Sequence, residues 1–358
     1  MLMPQGTTRL SPSAEWQARA LVGSQVPPLD RASPSTAINR MTERRPALSI
    51  VVPCYNEQDN IGPLHRRVSD VSATVVAADY ELVLINDGST DGTWERIACI
   101  CDEDPHVVGV NLSRNHGHQL ALSAGLSVCS GRRILILDGD LQDPPELLPE
   151  MYRLMDEGAD VVFGLRTERR GETWFKRTTA KLFYRVLGHL VDVPIPLDTG
   201  DFRLMSRRAL DVLNSMPEQH RFVRGMVSWI GFPQRGIAYT RQPRHAGSTK
   251  YPLTKMVRFA VDAITGFSVK PLRLSSYIGG VFALMGLALF LRTLYVWSTG
   301  GAIVGWTSLM SVVIILGSVQ LVVLGIIGEY LGRLFIEAKG RPLFVIKELR
   351  GVARGQSG

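Results

Sequence analysis

The chain has 358 residues, 45% hydrophobic and 20% charged, with 40 Lys and Arg against 33 Asp and Glu. That length suits two domains, or one domain with an appendage, and the hydrophobic share excludes whole-chain disorder and fibrous repeats. The net charge of +7 invites a nucleic-acid partner, but its distribution speaks against one, because residues 47–249 are acidic, with 22 basic against 26 acidic side chains.

Residues 1–46 are rich in Ser, Thr, Pro, Ala and Arg, carry a net +3 and show no sustained periodicity. They read as a disordered tail, and Ala18–Val22 is too short for the apolar region of a signal peptide. Residues 47–249 begin with alternating apolar and amphipathic stretches. Ala47–Val52, Glu81–Ile85, Val107–Asn111 and Ile134–Leu137 predict short buried strands. Asn60–Val76, Thr93–Asp102 and Gln119–Cys129 have helical spacing. Strand and helix in alternation predict a parallel sheet with helices on both faces, whose ligands bind beyond the carboxyl ends of the strands.

Those ends hold the unusual residues. The first strand runs into Pro53-Cys54-Tyr55-Asn56-Glu57, the second into Asn86-Asp87-Gly88-Ser89-Thr90-Asp91-Gly92, and the fourth into Asp138-Gly139-Asp140-Leu141-Gln142. Asp87 is placed to accept hydrogen bonds from a nucleoside. No GxGxxG follows the first strand and no GxxxxGK[ST] occurs, which disfavours a dinucleotide fold and a P-loop ATPase. Asp138 and Asp140 flank a flexible glycine, and Gln142 adds a neutral oxygen. Hard divalent cations take such oxygen ligands, and the pair suits an ion bridging a diphosphate. His116 and His118 flank Gly117 without a third partner in sequence, so they are not expected to form a metal pair. Cys54, Cys99, Cys101 and Cys129 form no zinc pattern and are expected as free thiols.

Residues 250–273 are basic, at net +4, and mix Met256, Val257, Phe259, Val261, Ile264 and Phe267 with Lys255, Arg258 and Lys270. Such segments predict interfacial amphipathic helices. Leu274 to Trp297 and Ala302 to Gly328 are then long enough to cross a bilayer, and Arg292 is the only Asp, Glu, Lys, Arg or His between Leu274 and Glu329. Ser298–Gly301 separates these two predicted transmembrane helices, 274–297 and 302–328. Residues 329–358 form a basic tail. The positive charge outside both spans places residues 47–249 and both flanks in the cytoplasm, with the inter-helix turn outside.

The stretches ALSIVVPCYNEQDNI, VLINDGSTDGTW, VNLSRNHG, LILDGDLQDPPELL and TGDFRLMSRRAL together resemble the family-2 glycosyltransferases of the GT-A fold. GETWFKRTTAKLFYRV and RFVRGMVSWIGF narrow the resemblance to membrane polyprenyl-phosphate glycosyltransferases of the bacterial bactoprenol type, over about Ala47–Leu349. The resemblance implies an α/β fold: a Rossmann-like GT-A domain that binds a nucleotide sugar, followed by the interfacial helices and the two transmembrane helices. By the same resemblance Pro53, Tyr55, Glu57, Asp87 and Asp138 line the nucleotide-sugar pocket. Asp138, Asp140 and Gln142 hold Mg2+ or Mn2+ against the diphosphate, Asp140 and Asp201 serve catalysis, and Arg166, Arg177, Arg244 and Lys250 meet phosphates of the acceptor. Many relatives read DDGS where this chain has Asn86-Asp87, which leaves Asp87 in place.

The activity so implied is transfer of a sugar, glucose favoured, from a nucleotide sugar of the UDP type to polyprenyl (undecaprenyl) phosphate, with inversion, at the inner (plasma) membrane. The alternatives are a mannose or aminosugar donor, GDP-mannose included, and a non-catalytic anchor that binds nucleotide sugar. Asp201 is open to two roles, orienting acceptor or sugar groups and acting as a base, with orientation favoured because a lipid phosphate is already ionised. A processive polysaccharide synthase is disfavoured by the absence of QxxRW, and a transporter by having only two spans. Relatives form tetramers, so a homo-oligomer is expected; no nucleic-acid partner is.

Overall fold

A computed structural model describes residues 45–166, 199–240, 265, 268–299 and 305–351. Four strands open the domain in parallel, as their unbroken apolar runs require: β1 (Leu48–Cys54), β2 (Tyr80–Asn86), β3 (Val107–Leu112) and β4 (Arg133–Ile136). Helices α1 (Gln58–Val76), α2 (Thr93–Glu103) and α3 (His118–Val128) connect them. There follow α4 (Leu148–Asp156), β5 (Val161–Arg166), β6 (Thr199–Ser206), α5 (Arg207–Ser215), α6 (Val223–Ile230), β7 (Gln234–Tyr239), α7 (Lys270–Ser298), α8 (Trp306–Ala338) and β8 (Ile346–Arg350).

The strands form one eight-stranded sheet in the order β7-β5-β6-β4-β1-β2-β3-β8. The expected parallel sheet is present in β4-β1-β2-β3, but β6 joins both β4 and β5 antiparallel, and β8 joins β3 antiparallel. Successive residues of each strand point to opposite faces, so β1 to β6 feed two cores. Ile50, Val52, Leu82 and Leu84 pack with α1, α2 and α4, through Ile61, Leu64, Ile97 and Met151. Val51, Val83 and Ile85 pack with α3, α5 and α6, through Leu122, Leu210 and Met226.

The order of the strands reverses at β1. From β1 the chain steps outward through β2 to β3, then returns to lay β4 on the other side of β1. A parallel sheet opens a crevice at such a reversal, outside the carboxyl ends of the two strands. Here those ends are the loops after Cys54 and Ile136.

Helices α7 and α8 run 29 and 33 residues, about 43 and 50 Å at the usual helical rise. Each contains a stretch long and apolar enough to cross a bilayer, Lys270–Thr293 and Ser311–Ala338, and almost none of either is buried within the protein. A core helix of a soluble protein would be covered. The second helix continues ten residues past Gly328, where the sequence predicted its end. Glu329, Arg333 and Glu337 recur every fourth residue, and Arg333 Nε donates to Glu329 Oε1 at 3.2 Å, a spacing that prolongs a helix beyond its apolar portion. The expected C-terminal tail is partly a strand, since β8 returns to the sheet and pairs with β3. The chain therefore leaves the sheet domain at α7 and comes back to it after α8, so both outer ends of the hairpin lie on the domain's side. Of the expected interfacial segment 250–273, residues 250–264, 266 and 267 lie outside the described residues, and Lys270 to Arg273 form the first turn of α7.

Candidate active site

The loops after β1 and β2 are bound to each other by their own polar side chains. Asn56, at a positive φ of 56°, accepts Thr90 N–H at 2.9 Å through Oδ1, and its own N–H donates to Ser89 Oγ at 3.0 Å. Glu57 N–H donates to Thr93 Oγ1 at 2.9 Å, and Gln58 Oε1 accepts Gly92 N–H at 2.9 Å. This accounts for the run of Asn, Ser, Thr and Asp at both strand ends: the side chains replace the ladder that stops there. Tyr55 stands 47% exposed on this rim, and Pro53 is buried one residue before the end of β1. Asp87 is buried, and its two carboxylate oxygens accept His116 N–H at 2.7 Å and Gly117 N–H at 3.0 Å. It therefore fixes the loop after β3. Burial raises its pKa in spite of those two donors.

Asp138 and Asp201 meet because of strand register. Ile136 of β4 pairs with Arg203 of β6. Two residues beyond Ile136 is Asp138, and two residues before Arg203 is Asp201, so an antiparallel pair brings them opposite each other. Asp201 is 2% exposed and accepts four donors: Arg224 Nε at 2.8 Å on Oδ1, and Arg224 Nη2 at 3.2 Å, His118 Nε2 at 3.0 Å and Gln119 Nε2 at 3.0 Å on Oδ2. Burial opposes its charge, yet the Arg224 guanidinium and the His118 hydrogen bond outweigh burial and hold the carboxyl well below the usual range. His118 Nε2 also lies 3.6 Å from Asp138 Oδ1. Burial opposes charging of the imidazole, but its hydrogen bond to Asp201 and the charges of Asp201 and Asp138 raise its pKa.

Asp138 behaves in the opposite way to Asp201. Burial, with the charges of Asp201, Asp143 and Asp140 and against the pull of His118, pushes its carboxyl up to about 6. A carboxylate destabilised by three like neighbours is one that a divalent cation would relieve. The donors fit such an ion: hard carboxylate oxygens on Asp138 and Asp140, with Gln142 on the same loop. Asp140 is buried and accepts Gln142 N–H at 3.2 Å. Between them Leu141 takes a φ of 59°, a left-handed turn that costs a non-glycine residue energy and is found at ligand-binding loops. Among the described residues, ligand atoms of His118, Asp138 and Asp201 lie within 4.8 Å of one another. Because the Arg224 guanidinium already neutralises Asp201, Asp138 is the acid of that group best suited to a cation.

Arg166 is brought to the same place by Gly200. A Cβ on Gly200 would strike the Arg166 guanidinium, so the glycine of Thr199-Gly200-Asp201 admits the arginine beside Asp201. Arg166 Nε donates to Tyr239 Oη at 3.2 Å, and Tyr239 Oη donates to buried Asp143 Oδ1 at 2.5 Å. Gly200→Ala should leave the fold intact, since the obstructing group is the far end of a long side chain. It should displace Arg166 and raise the KM for an anionic acceptor by about threefold to tenfold; an unchanged KM would remove Arg166 from acceptor binding. Arg177, Arg244 and Lys250 lie outside the described residues.

His118, Gln119, Asp143, Arg224 and Tyr239 belong to the site and were not singled out for it in the sequence. His116 contributes its backbone N–H to Asp87, and His118 alone reaches the acids. Arg224 sits in the RFVRGMVSWIGF stretch, where no spacing marks it as different from a surface arginine.

A family model described as Glycosyl transferase family 2 matches residues 49–213, and one described as GtrB C-terminal hairpin matches residues 270–334. The chain is 45% identical over 305 residues to an uncharacterized glycosyltransferase, YkcC, of Bacillus subtilis, covering 85% of this chain and 94% of that protein. It is 37% identical over 307 residues to the prophage bactoprenol glucosyl transferase homolog of Escherichia coli, covering 85% of this chain and 99% of that protein. A solved structure of Mycobacterium tuberculosis glucosyl-3-phosphoglycerate synthase with Mn2+, UDP-glucose and phosphoglyceric acid overlaps at a TM-score of 0.40 and 20% identity, covering 62% of this chain and 78% of that one. An overlap that slight carries no ligand across.

Proposed function

Because the chain belongs to glycosyl transferase family 2, we propose that it transfers a sugar, glucose in the first instance, from a UDP-sugar to a polyprenyl phosphate at the cytoplasmic face of a membrane. The observation that carries this reading is Asp138 facing Asp201 at the reversal of the sheet, with Arg166 alongside. Relatives at 37% identity over most of the chain are named bactoprenol glucosyl transferases, and the apolar hairpin would hold the domain at the bilayer in which such an acceptor resides. The positive flanks on the domain's side of the hairpin support the cytoplasmic placement.

The chemistry asked of the protein is modest. A lipid phosphate oxygen attacks the anomeric carbon, the bond from that carbon to the nucleoside diphosphate breaks, and a single displacement inverts the centre. The nucleophile is ionised at neutral pH, so positioning and relief of charge repulsion dominate. Asp201 suits orientation: a carboxylate held well below its usual pKa is a poor proton acceptor near neutrality. Arg166 suits the acceptor phosphate through its planar fork. Tyr55 and Asp87 border the base and ribose. A Mg2+ or Mn2+ ion held by Asp138, Asp140 and Gln142 would supply Lewis-acid stabilisation of the departing diphosphate.

The deciding experiment is a screen of labelled UDP- and GDP-sugars with purified protein, undecaprenyl phosphate and Mg2+ or Mn2+, reading label in the extracted lipid. The expected result is transfer from UDP-glucose. Transfer from a GDP-sugar or an aminosugar donor would replace the donor, and no transfer from any donor would leave the non-catalytic anchor standing.

A further inference from the structure

The connection from α5 to α6 runs between the end of the second membrane helix and Asp201, and hydrogen bonds hold it at both ends. At the membrane end, Gln219 N–H donates to Glu337 Oε1 at 2.8 Å and Gln219 Nε2 donates to Arg341 O at 3.0 Å. In the middle, buried Arg221 donates to Met216 O at 2.9 Å and Leu213 O at 2.7 Å. It thereby ties the C-terminal end of α5, where Leu213 O also accepts Met216 N–H at 3.4 Å, to the segment that follows. At the site end, Arg224 Nη1 donates to Thr199 O at 3.0 Å while its other nitrogens hold Asp201.

The joint is Gln119. Val223 N–H, at the start of α6, donates to Gln119 Oε1 at 3.0 Å, and Gln119 Nε2 donates to Asp201 Oδ2 at 3.0 Å. These partners fix the orientation of the amide. The Val223 N–H only donates and the Asp201 carboxylate only accepts, so the reversed amide would face a donor with a donor and an acceptor with an acceptor. Gln119 thus bridges the start of α6 to the carboxylate, beside the two bonds that Arg224 gives it directly.

We propose that Gln119 is a positioning residue through which the segment Met216–Arg224, latched to the end of α8, sets the carboxylate of Asp201 for the lipid acceptor. The inference rests on the reading of Asp201 as the acid that orients the acceptor. It gives the hairpin a second role, in which the seating of the helix end decides how well the site receives a phosphate arriving from the bilayer.

The test uses the full chain in liposomes containing undecaprenyl phosphate. Gln119→Met keeps the volume and removes both bonds; it should lower kcat about tenfold, because small misplacements of reacting groups are costly, and leave the donor KM within about twofold. Gln119→Glu keeps the bond from Val223 and sets a carboxylate against Asp201. Its loss relative to the unaltered protein should be larger at pH 8 than at pH 6, where a protonated carboxyl can donate as the amide did. The paired change Gln219→Ala with Glu337→Ala should raise the KM for undecaprenyl phosphate about threefold or more with little effect on donor KM. Kinetics of both Gln119 variants matching the unaltered protein would overturn the joint, and an unchanged lipid KM in the paired variant would overturn the link to the membrane helix.

Hydrogen exchange separates this outcome from failure of the proposed transfer. Even in a protein that moved no sugar, the paired variant should speed exchange in residues 216–223 and also in 199–206. Faster exchange confined to residues 216–222 would overturn the coupling, whatever the activity.

Discussion

Asp140→Asn is expected to abolish sugar transfer, with a loss of about a thousandfold or more, as removal of several kcal/mol of charge stabilisation at the departing diphosphate implies. The substitution is conservative for the fold. Asparagine keeps an oxygen to accept Gln142 N–H, the contact Asp140 makes at 3.2 Å, and Leu141 can keep its turn. What disappears is one negative charge from a loop already carrying Asp138 and Asp143. Two measurements check the result: labelled lipid formed per unit time, and the melting temperature of the same preparation. Transfer retained above about a tenth of normal would remove Asp140 from the reaction. A melting temperature lowered in step with activity would make its role structural. Mn2+ binding read by electron paramagnetic resonance should weaken in the same variant, which tests the metal assignment without turnover.

Asp201→Asn should damage both activity and stability. The carboxylate is 2% exposed and faces the Arg224 guanidinium through two hydrogen bonds. Removing one partner of a buried pair strands the other, at about 3–5 kcal/mol. Thermal unfolding should register this as a fall of roughly 10 °C for a domain of this size. Replacing Arg224 by glutamine in the same chain should recover part of the loss, since the stranded cation is then gone. The pH dependence has a definite sign in metal-free protein. Asp201 titrates well below the usual range when folded, so its contribution is present above the unfolded carboxyl pKa and is lost only on strong acidification. His118 titrates above its usual value when folded, so its contribution is full below the unfolded imidazole pKa and fades as pH rises through the folded one. The deficit of Asp201→Asn should therefore be larger near pH 6 than near pH 9. A deficit that grows with pH would remove His118 from the pair.

The parallel half of the sheet was legible because buried strands announce themselves as apolar runs. β1 to β4 fall within two residues of their predicted positions at every end. The motif loops were legible because only particular residues, Gly88 and the polar cluster around it, can turn there. The site was legible only one strand end at a time. That Asp138 faces Asp201 follows from the antiparallel register of β4 and β6, and no spacing along the chain encodes a register between strands 63 residues apart. Gln119 and Arg224 escape for the same reason, since each acts on Asp201 from a different part of the chain. In the sequence His118 reads as half of a His pair, and in the structure its partners are two acids. β8 was invisible because Ile346-Lys347-Glu348-Leu349-Arg350 has weak alternation and follows a membrane helix, where a tail is the ordinary expectation.

The return of β8 makes the hairpin an insertion within the sheet domain. Gly109 to Leu112 of β3 pair with this strand, so a chain cut before α7 would leave the main-chain groups of β3 bare along one border. Bare strand borders recruit strands from other molecules. Solubility of the sheet domain thus depends on residues that follow the two apolar helices, and a version without them must carry Ile346–Arg350 back to β3 by a linker in their place.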